Sequence, residues 1–231
     1  MVILLDTSSS MRMKMSLAQE AAIQFVRSLK PEDRFKVVEF NDRVMTLVDF
    51  TSDLQQVTDA IRRTSPAGAT SLYNALYISL RGLPRERDGI ERQAIVVLSD
   101  GADTRSLVSF DNVLELAQQT DVLIYTISLR GSADDLEKQK YAYAKYELEE
   151  LASETGAASY SPESIGDLAG VYERIATELK SQYNLGYISS GGVADGRWKT
   201  LQILCDYPNA RVRTRSGYFA PRARARSSGR N

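Results

Sequence analysis

The apolar run Val2-Ile-Leu-Leu5 stops abruptly at Asp6 and passes into a cluster of hydroxyls, Thr7 to Ser10. A short Val, Ile and Leu run followed at once by turn formers predicts a fully buried parallel strand that ends in a loop. The pattern recurs downstream, where Gln93 to Ser99 carries Ala-Ile-Val-Val-Leu and ends at Asp100-Gly101. A chain with two such strands, each ending in an acid, is constrained to an open sheet with its polar loops gathered at the strand ends.

The segments between obey the same alternation. Leu17, Ala18, Ala21, Ala22, Phe25, Val26 and Leu29 recur at helical spacing and predict a helix from about Arg12 to Lys30, stopped by Pro31. Arg34 to Phe40 and Val44 to Phe50 are separated only by Asn41-Asp-Arg43, a hairpin length that makes the second strand antiparallel. Helices follow at Asp53 to Arg63 and from about Thr70, where Leu72, Leu76 and Leu80 share a face. After the Gln93 to Ser99 strand come a helix (Ser109 to Gln119), a strand (Val122 to Leu129), a long helix (Asp134 to Glu154), a short strand (Ala157 to Tyr160) and a helix (Ile165 to Lys180). Strands alternating with helices imply right-handed crossovers. The expected fold is α/β: Rossmann-like and doubly wound, a mostly parallel six-stranded sheet with one antiparallel edge strand and helices on both faces. From Gln182 the texture changes to three strand candidates with turns at Gly191-Gly192 and Tyr207-Pro-Asn209, which predicts a small antiparallel β appendage beside the main sheet. The expected division is 1–181 for the α/β domain, 182–220 for the appendage and 221–231 for a disordered Arg-rich tail.

Composition removes several chemistries. With no histidine there is no Ser-His-Asp triad and no imidazole base or zinc ligand. The single cysteine, Cys205, forms no intrachain disulfide and reads as a small core residue of an alternating segment. Lys and Arg total 29 against 30 for Asp and Glu, so no overall field favours nucleic acid. No stretch is long and apolar enough to span a bilayer. Because the chain begins at its first core strand, upstream sequence, including an export signal, is expected to be missing.

Asp6, Ser8 and Ser10 alternate, so three oxygen-bearing side chains face one point while Thr7 and Ser9 face away, an arrangement that suits a hard cation. In an open α/β sheet the ligand crevice lies beyond the carboxyl ends of the strands. Asp6 and Asp100 meet there if their strands are neighbours, and no Lys or Arg stands among the first residues of either loop. Two converging carboxylates would repel, and a divalent cation removes the conflict. The alternative for these residues is loop and helix capping. Asp103 reads as a turn cap. Met11, Met13 and Met15, spaced by two, do not share a helix face. Tyr141, Tyr143 and Tyr146, with Lys140 and Lys145, read as a partly exposed helix face.

Over residues 1 to 180 the combination Asp6-x-Ser8-x-Ser10, Thr70 in Gly68-Ala-Thr-Ser-Leu-Tyr73, and Asp100-Gly101 resembles the metal-ion-dependent adhesion site of von Willebrand factor type A domains. Ser9 stands where a glycine is common in that family. The resemblance implies that Asp6, Ser8, Ser10, Thr70 and Asp100 hold Mg²⁺, with Mn²⁺ or Ca²⁺ as substitutes, and that an open coordination position accepts a Glu or Asp of a protein partner. The loops near Arg12, Ser71 to Asn74 and Arg105 would supply specificity. A bacterial subgroup is more similar still, through Asp33-Arg-Phe35, Asp49-Phe-Thr-Ser-Asp53, Tyr183-Asn-Leu-Gly-Tyr187 and Ser216-Gly-Tyr-Phe-Ala-Pro221. That likeness implies an extracytoplasmic location and a β region before the first strand. The expected function is a non-enzymatic, metal-dependent protein-binding module. A scaffold with a stabilising metal is the alternative. Mg²⁺-dependent phosphoryl transfer is disfavoured, because Ser8 stands where a second acid is needed and no phosphate-cradling Gly-rich loop follows the first strand.

Overall fold

A computed structural model describes residues 1–84, 92–100, 102–129, 135–183, 185–187, 195–208 and 212–220. Fourteen α and β elements are described: β1 (Val2–Asp6), α1 (Met15–Ser28), β2 (Phe35–Phe40), β3 (Val44–Thr51), α2 (Leu54–Arg62), α3 (Leu72–Arg81), β4 (Ala94–Ser99), α4 (Phe110–Gln118), β5 (Leu123–Ser128), α5 (Asp135–Thr155), β6 (Ser159–Tyr160), α6 (Leu168–Lys180), β7 (Trp198–Thr200) and β8 (Gly217–Phe219). The main sheet runs β3-β2-β1-β4-β5-β6. Every neighbouring pair is parallel except β2–β3. This is the expected doubly wound arrangement, with the hairpin strand at one edge.

Alternation along β1 divides the core. Ile3 and Leu5 face the layer of α1, α2 and α6, whereas Val2 and Leu4 face the layer of α3, α4 and α5. With both faces covered, β1 and β4 are buried along their whole lengths, which is why they read as unbroken apolar runs. The first crossover from β1 leads to β2 on one side, and β4 lies on the other. The gap between β1 and β4 is therefore the topological switch point.

Three expectations are corrected. The helix expected from Arg12 is split: Ser9–Met13 form a 3-10 helix and α1 begins at Met15. The tight turn buries Met11 and Met15 and leaves Met13 exposed, so the three methionines share no face. In the C-terminal region β7 and β8 pair antiparallel, but the described residues of the first candidate, 183 and 185–187, form no strand. Cys205 is exposed rather than in the core, because its segment has no strand partner among the described residues and its alternation maps onto no sheet face. The Gly191-Gly192 turn, Asn209, Gly101 and the expected tail 221–231 lie outside the described residues.

The β7–β8 hairpin does not extend the main sheet. Arg215 pairs with Asp121 and donates to the Gln118 carbonyl at 2.9 Å, and the Ser216 amide donates to the Glu154 carbonyl at 3.3 Å. These partners close α4 and α5, at the end of the sheet where the parallel strands begin. The hairpin thus docks at the opposite end from Asp6 and Asp100.

Candidate functional site

At the carboxyl ends of β1 and β4 the carboxylates of Asp6 and Asp100 are buried, at 1% and 3% residue exposure. Register explains their meeting: Leu5 pairs with Leu98, which sets Asp6 opposite Ser99 and next to Asp100. Asp6 Oδ1 accepts the Ser8 amide at 2.8 Å and Oδ2 accepts the Ser99 hydroxyl at 2.6 Å. The Ser8 and Ser10 hydroxyls lie 2.9 Å apart, and Ser10 donates to Asp100 Oδ1 at 2.6 Å. Thr7 turns the other way, donating from its hydroxyl to the Phe40 carbonyl at 3.3 Å. The alternation expected along this loop is thus realised by hydrogen bonds that join Asp6 to Ser8 and Ser10 to Asp100.

Thr70 arrives through the main chain. The Ser9 amide donates to the Gly68 carbonyl at 3.0 Å and the Ala67 amide to the Thr7 carbonyl at 2.7 Å, which stitches the 65–71 loop to the first. The Thr70 carbonyl accepts the Thr104 and Arg105 amides at 2.9 and 3.1 Å, and its amide donates to the Thr104 hydroxyl at 3.1 Å. Among the described residues the Thr70 hydroxyl is bonded to none of the other four candidates. Ser71, the next residue, has its hydroxyl buried without a hydrogen-bond partner among the described residues.

Gly68 makes the second loop possible. Its φ of +74° belongs to the left-handed region, and a Cβ there would fall 2.2 Å from Asp42 Oδ2. Asp42 Oδ1 in turn accepts the Ala69 amide at 3.1 Å. The β2–β3 hairpin therefore braces the loop that carries Thr70, a role no local pattern around Asp42 announces.

Sequence reasoning missed the nearest cation. Lys14 Nζ donates to Asp100 Oδ2 at 2.6 Å, so the expectation that the two acids converge without a basic partner is corrected. Lys14 is not among the first residues of the loop; it caps the 3-10 helix that carries Ser10, and both side chains donate to Asp100. Ser99 was signalled more weakly, by its place at the end of a buried strand. Asp103 is a turn cap as expected: it accepts the Tyr73 amide at 3.2 Å and the Ser106 amide at 3.0 Å. Tyr73 and Asn74 are committed internally, Tyr73 donating its hydroxyl to Glu147 and Asn74 accepting the Leu107 and Val108 amides. Arg12, Met13, Arg105 and Leu107 are exposed on the loops around the site, Met13 at 91% and Leu107 at 96%.

Burial pushes the Asp6 carboxyl up from 3.8 to about 6; hydrogen bonds from Ser8 and Ser99 oppose the shift and the Asp100 charge adds to it. A carboxyl raised in the folded state contributes stability that is present below its unfolded value and is lost as pH rises through the folded value. With chelator present, this one group should cost about 2 kcal/mol between pH 4 and pH 7.5. Urea unfolding across that range is expected to show the loss in the wild type and not in Asp6→Asn. Parallel profiles would contradict it.

The expected donors, two carboxylates and three hydroxyls, are all oxygen and of the kind a small hard cation takes; of these Asp6, Ser8, Ser10 and Asp100 are brought together, and an ammonium group stands on Asp100. Among the described residues no three His, Cys, Asp or Glu side chains gather, so a site built from more numerous charges is not present there.

Residues 1–102 match the family described as von Willebrand factor type A domain. A UPF0353 protein of Mycolicibacterium paratuberculosis is 26% identical, over 88% of this chain and 66% of the relative, so the chain spans just under two thirds of that protein's length. Among solved structures, the vWF domain of the type V pili tip protein Mfa5 from Porphyromonas gingivalis superposes with a TM-score of 0.64 at 14% identity, over 81% of this chain and 97% of that one. A von Willebrand factor type A structure from Catenulispora acidiphila gives 0.62 at 16% identity, over 76% and 41%.

Proposed function

We propose that this chain, which carries a von Willebrand factor type A domain, is a divalent-metal-dependent protein-binding module rather than an enzyme. The observation that carries the reading is the convergence of Asp6, Ser8, Ser10 and Asp100 at the β1–β4 switch point, with Thr70's loop bonded to both neighbouring loops. These five residues would hold Mg²⁺ or a similar ion, which supplies a Lewis-acidic position for a carboxylate of the partner. Asp6 and Asp100 balance the charge, and the serine and threonine hydroxyls complete the shell as neutral donors. With the two carboxylates only matching the ion's charge and the other donors neutral, the shell carries no excess negative charge to repel an incoming Glu or Asp.

The surrounding surface supports a protein partner. Arg12 and Arg105 add cationic reach, and Met13 and Leu107 offer apolar area that has no role inside the domain. Arg, Met and large apolar groups are the residues that interfaces favour. Among the described residues no helix is long and apolar enough to cross a membrane. The proposal includes an extracytoplasmic setting, supported by the solved neighbour that belongs to a pilus tip protein.

The test is retention of a partner on immobilised protein with Mg²⁺ and its release by EDTA, with Thr70→Ala as control. Thr70→Ala is expected to weaken divalent-dependent retention at least tenfold while leaving the far-UV spectrum intact. Retention that persists in saturating chelator would refute the reading.

A further inference from the structure

The geometry points to Lys14 as a tethered cation that occupies the Asp100 side of the site and competes with a divalent ion for it. The inference rests on the metal-dependent reading above and adds an internal gate to it.

Both oxygens of Asp100 are engaged: Ser10 donates to Oδ1 and Lys14 to Oδ2, each at 2.6 Å. The Asp100 side chain is fully buried, and that of Lys14 is 23% exposed. A charge-assisted contact this short with one partner out of water is of the stronger kind. Ser8, Ser10, Asp100 and Lys14 thereby form a continuous chain in which hydroxyls that would ligate a cation satisfy one another and the carboxylate satisfies the ammonium. This arrangement is closed in charge as well as in hydrogen bonding.

A divalent ion and an ammonium cannot share this carboxylate at close range without strong mutual repulsion. Loading therefore requires Lys14 to leave. It has the means: it stands at the junction of the 3-10 helix and α1, its side chain is partly exposed, and four methylenes let it swing outward. Once displaced, the ammonium joins Arg12 at the rim, so loading would also raise the positive charge that faces an acidic partner. The site is thus satisfied by its own ammonium without the ion and gains attraction for an acidic partner with it, which couples the two binding events through one side chain.

The apparent affinity for the ion falls by the fraction of molecules with Lys14 displaced, so closure favoured by about ten to one lowers affinity about tenfold. The experiment is calorimetric titration of MgCl₂ into the wild type, Lys14→Met, Lys14→Gln and Lys14→Arg, with Asp6→Asn as control. The Met and Gln variants should bind Mg²⁺ about tenfold more tightly, while Arg, which keeps the charge, should stay near the wild type. Affinity in both neutral variants equal to or below the wild type, with binding lost in Asp6→Asn, would overturn the gate and leave the metal site standing. Binding in no variant and not in the wild type would overturn the site itself. A measurement without substitution is the Lys14 ¹³Cε resonance, which should move to the solvent-averaged position on Mg²⁺ saturation. A resonance that stays at its metal-free position in the loaded protein would refute displacement.

Discussion

Asp6→Asn is expected to abolish the response of the chain to Mg²⁺ while leaving the metal-free protein at least as stable as the wild type at neutral pH. The two halves follow from the same burial. Asparagine keeps an oxygen to accept the Ser8 amide, and the Ser99 hydroxyl can rotate to accept from the new amide nitrogen, so the local hydrogen bonds survive. The charge does not survive, and with it goes the attraction that balances a divalent ion. What the wild type loses by ionising a carboxyl whose pKa is pushed up to about 6 is removed as well. Thermal unfolding with and without Mg²⁺ separates the effects. A wild-type melting temperature that rises with Mg²⁺, against a flat response in Asp6→Asn, is the expected pattern. An equal rise in both would place the ion elsewhere, and a large metal-free loss in the variant would make Asp6 a structural cap.

Gly156→Ala is expected to loosen the C-terminal hairpin from the domain. Gly156 has φ +81°, and a Cβ there would lie 2.6 Å from the Arg215 amide nitrogen and 2.7 Å from the Thr214 carbonyl carbon. Those atoms are main chain and cannot swing aside as a side chain does. The backbone conformation alone should cost about 1–3 kcal/mol. At roughly 2–4 °C per kcal/mol for a chain of this size, the melting temperature should fall by several degrees. Trp198, the one tryptophan, packs edge-on against Phe219 of the hairpin with ring centroids 5.0 Å apart. That contact is internal to the hairpin, so its emission should shift to the red to the extent that losing the anchor at Arg215 and Ser216 also loosens the β7–β8 pairing. Because the hairpin lies at the far end of the sheet from Asp6, Mg²⁺ affinity should change little. Unchanged emission and melting temperature would show that the 212–220 segment moves with the strain.

Much of the fold was legible because its signals are short-range. Buried strands such as 94–99 declare themselves by unbroken apolar runs, and α3 by leucines at 72, 76 and 80, all of which are buried. The hairpin edge followed from the three-residue spacing at Asn41 to Arg43. The C-terminal region was less legible: its alternation at Cys205 had no partner strand to give it an inside and an outside. Alternation encodes burial only where a sheet face exists to receive it.

The candidate site divides in the same way. Asp6, Ser8 and Ser10 stand two apart at a strand end, and Asp100 closes a second strand of the same type, so their chemistry and their meeting place could be argued from sequence alone. Lys14 and Asp42 could not be placed in this way. Lys14 reaches a carboxylate 86 positions away, and Asp42 braces an amide 27 positions away, across pairings that exist only once β1 lies between β2 and β4. The sequence by itself determined which oxygens gather at the end of the sheet, because spacing along a strand and loop decides where a side chain points. Only the tertiary structure decided which cation already stands among them, because a contact between distant residues depends on strand order and register, which local spacing does not contain.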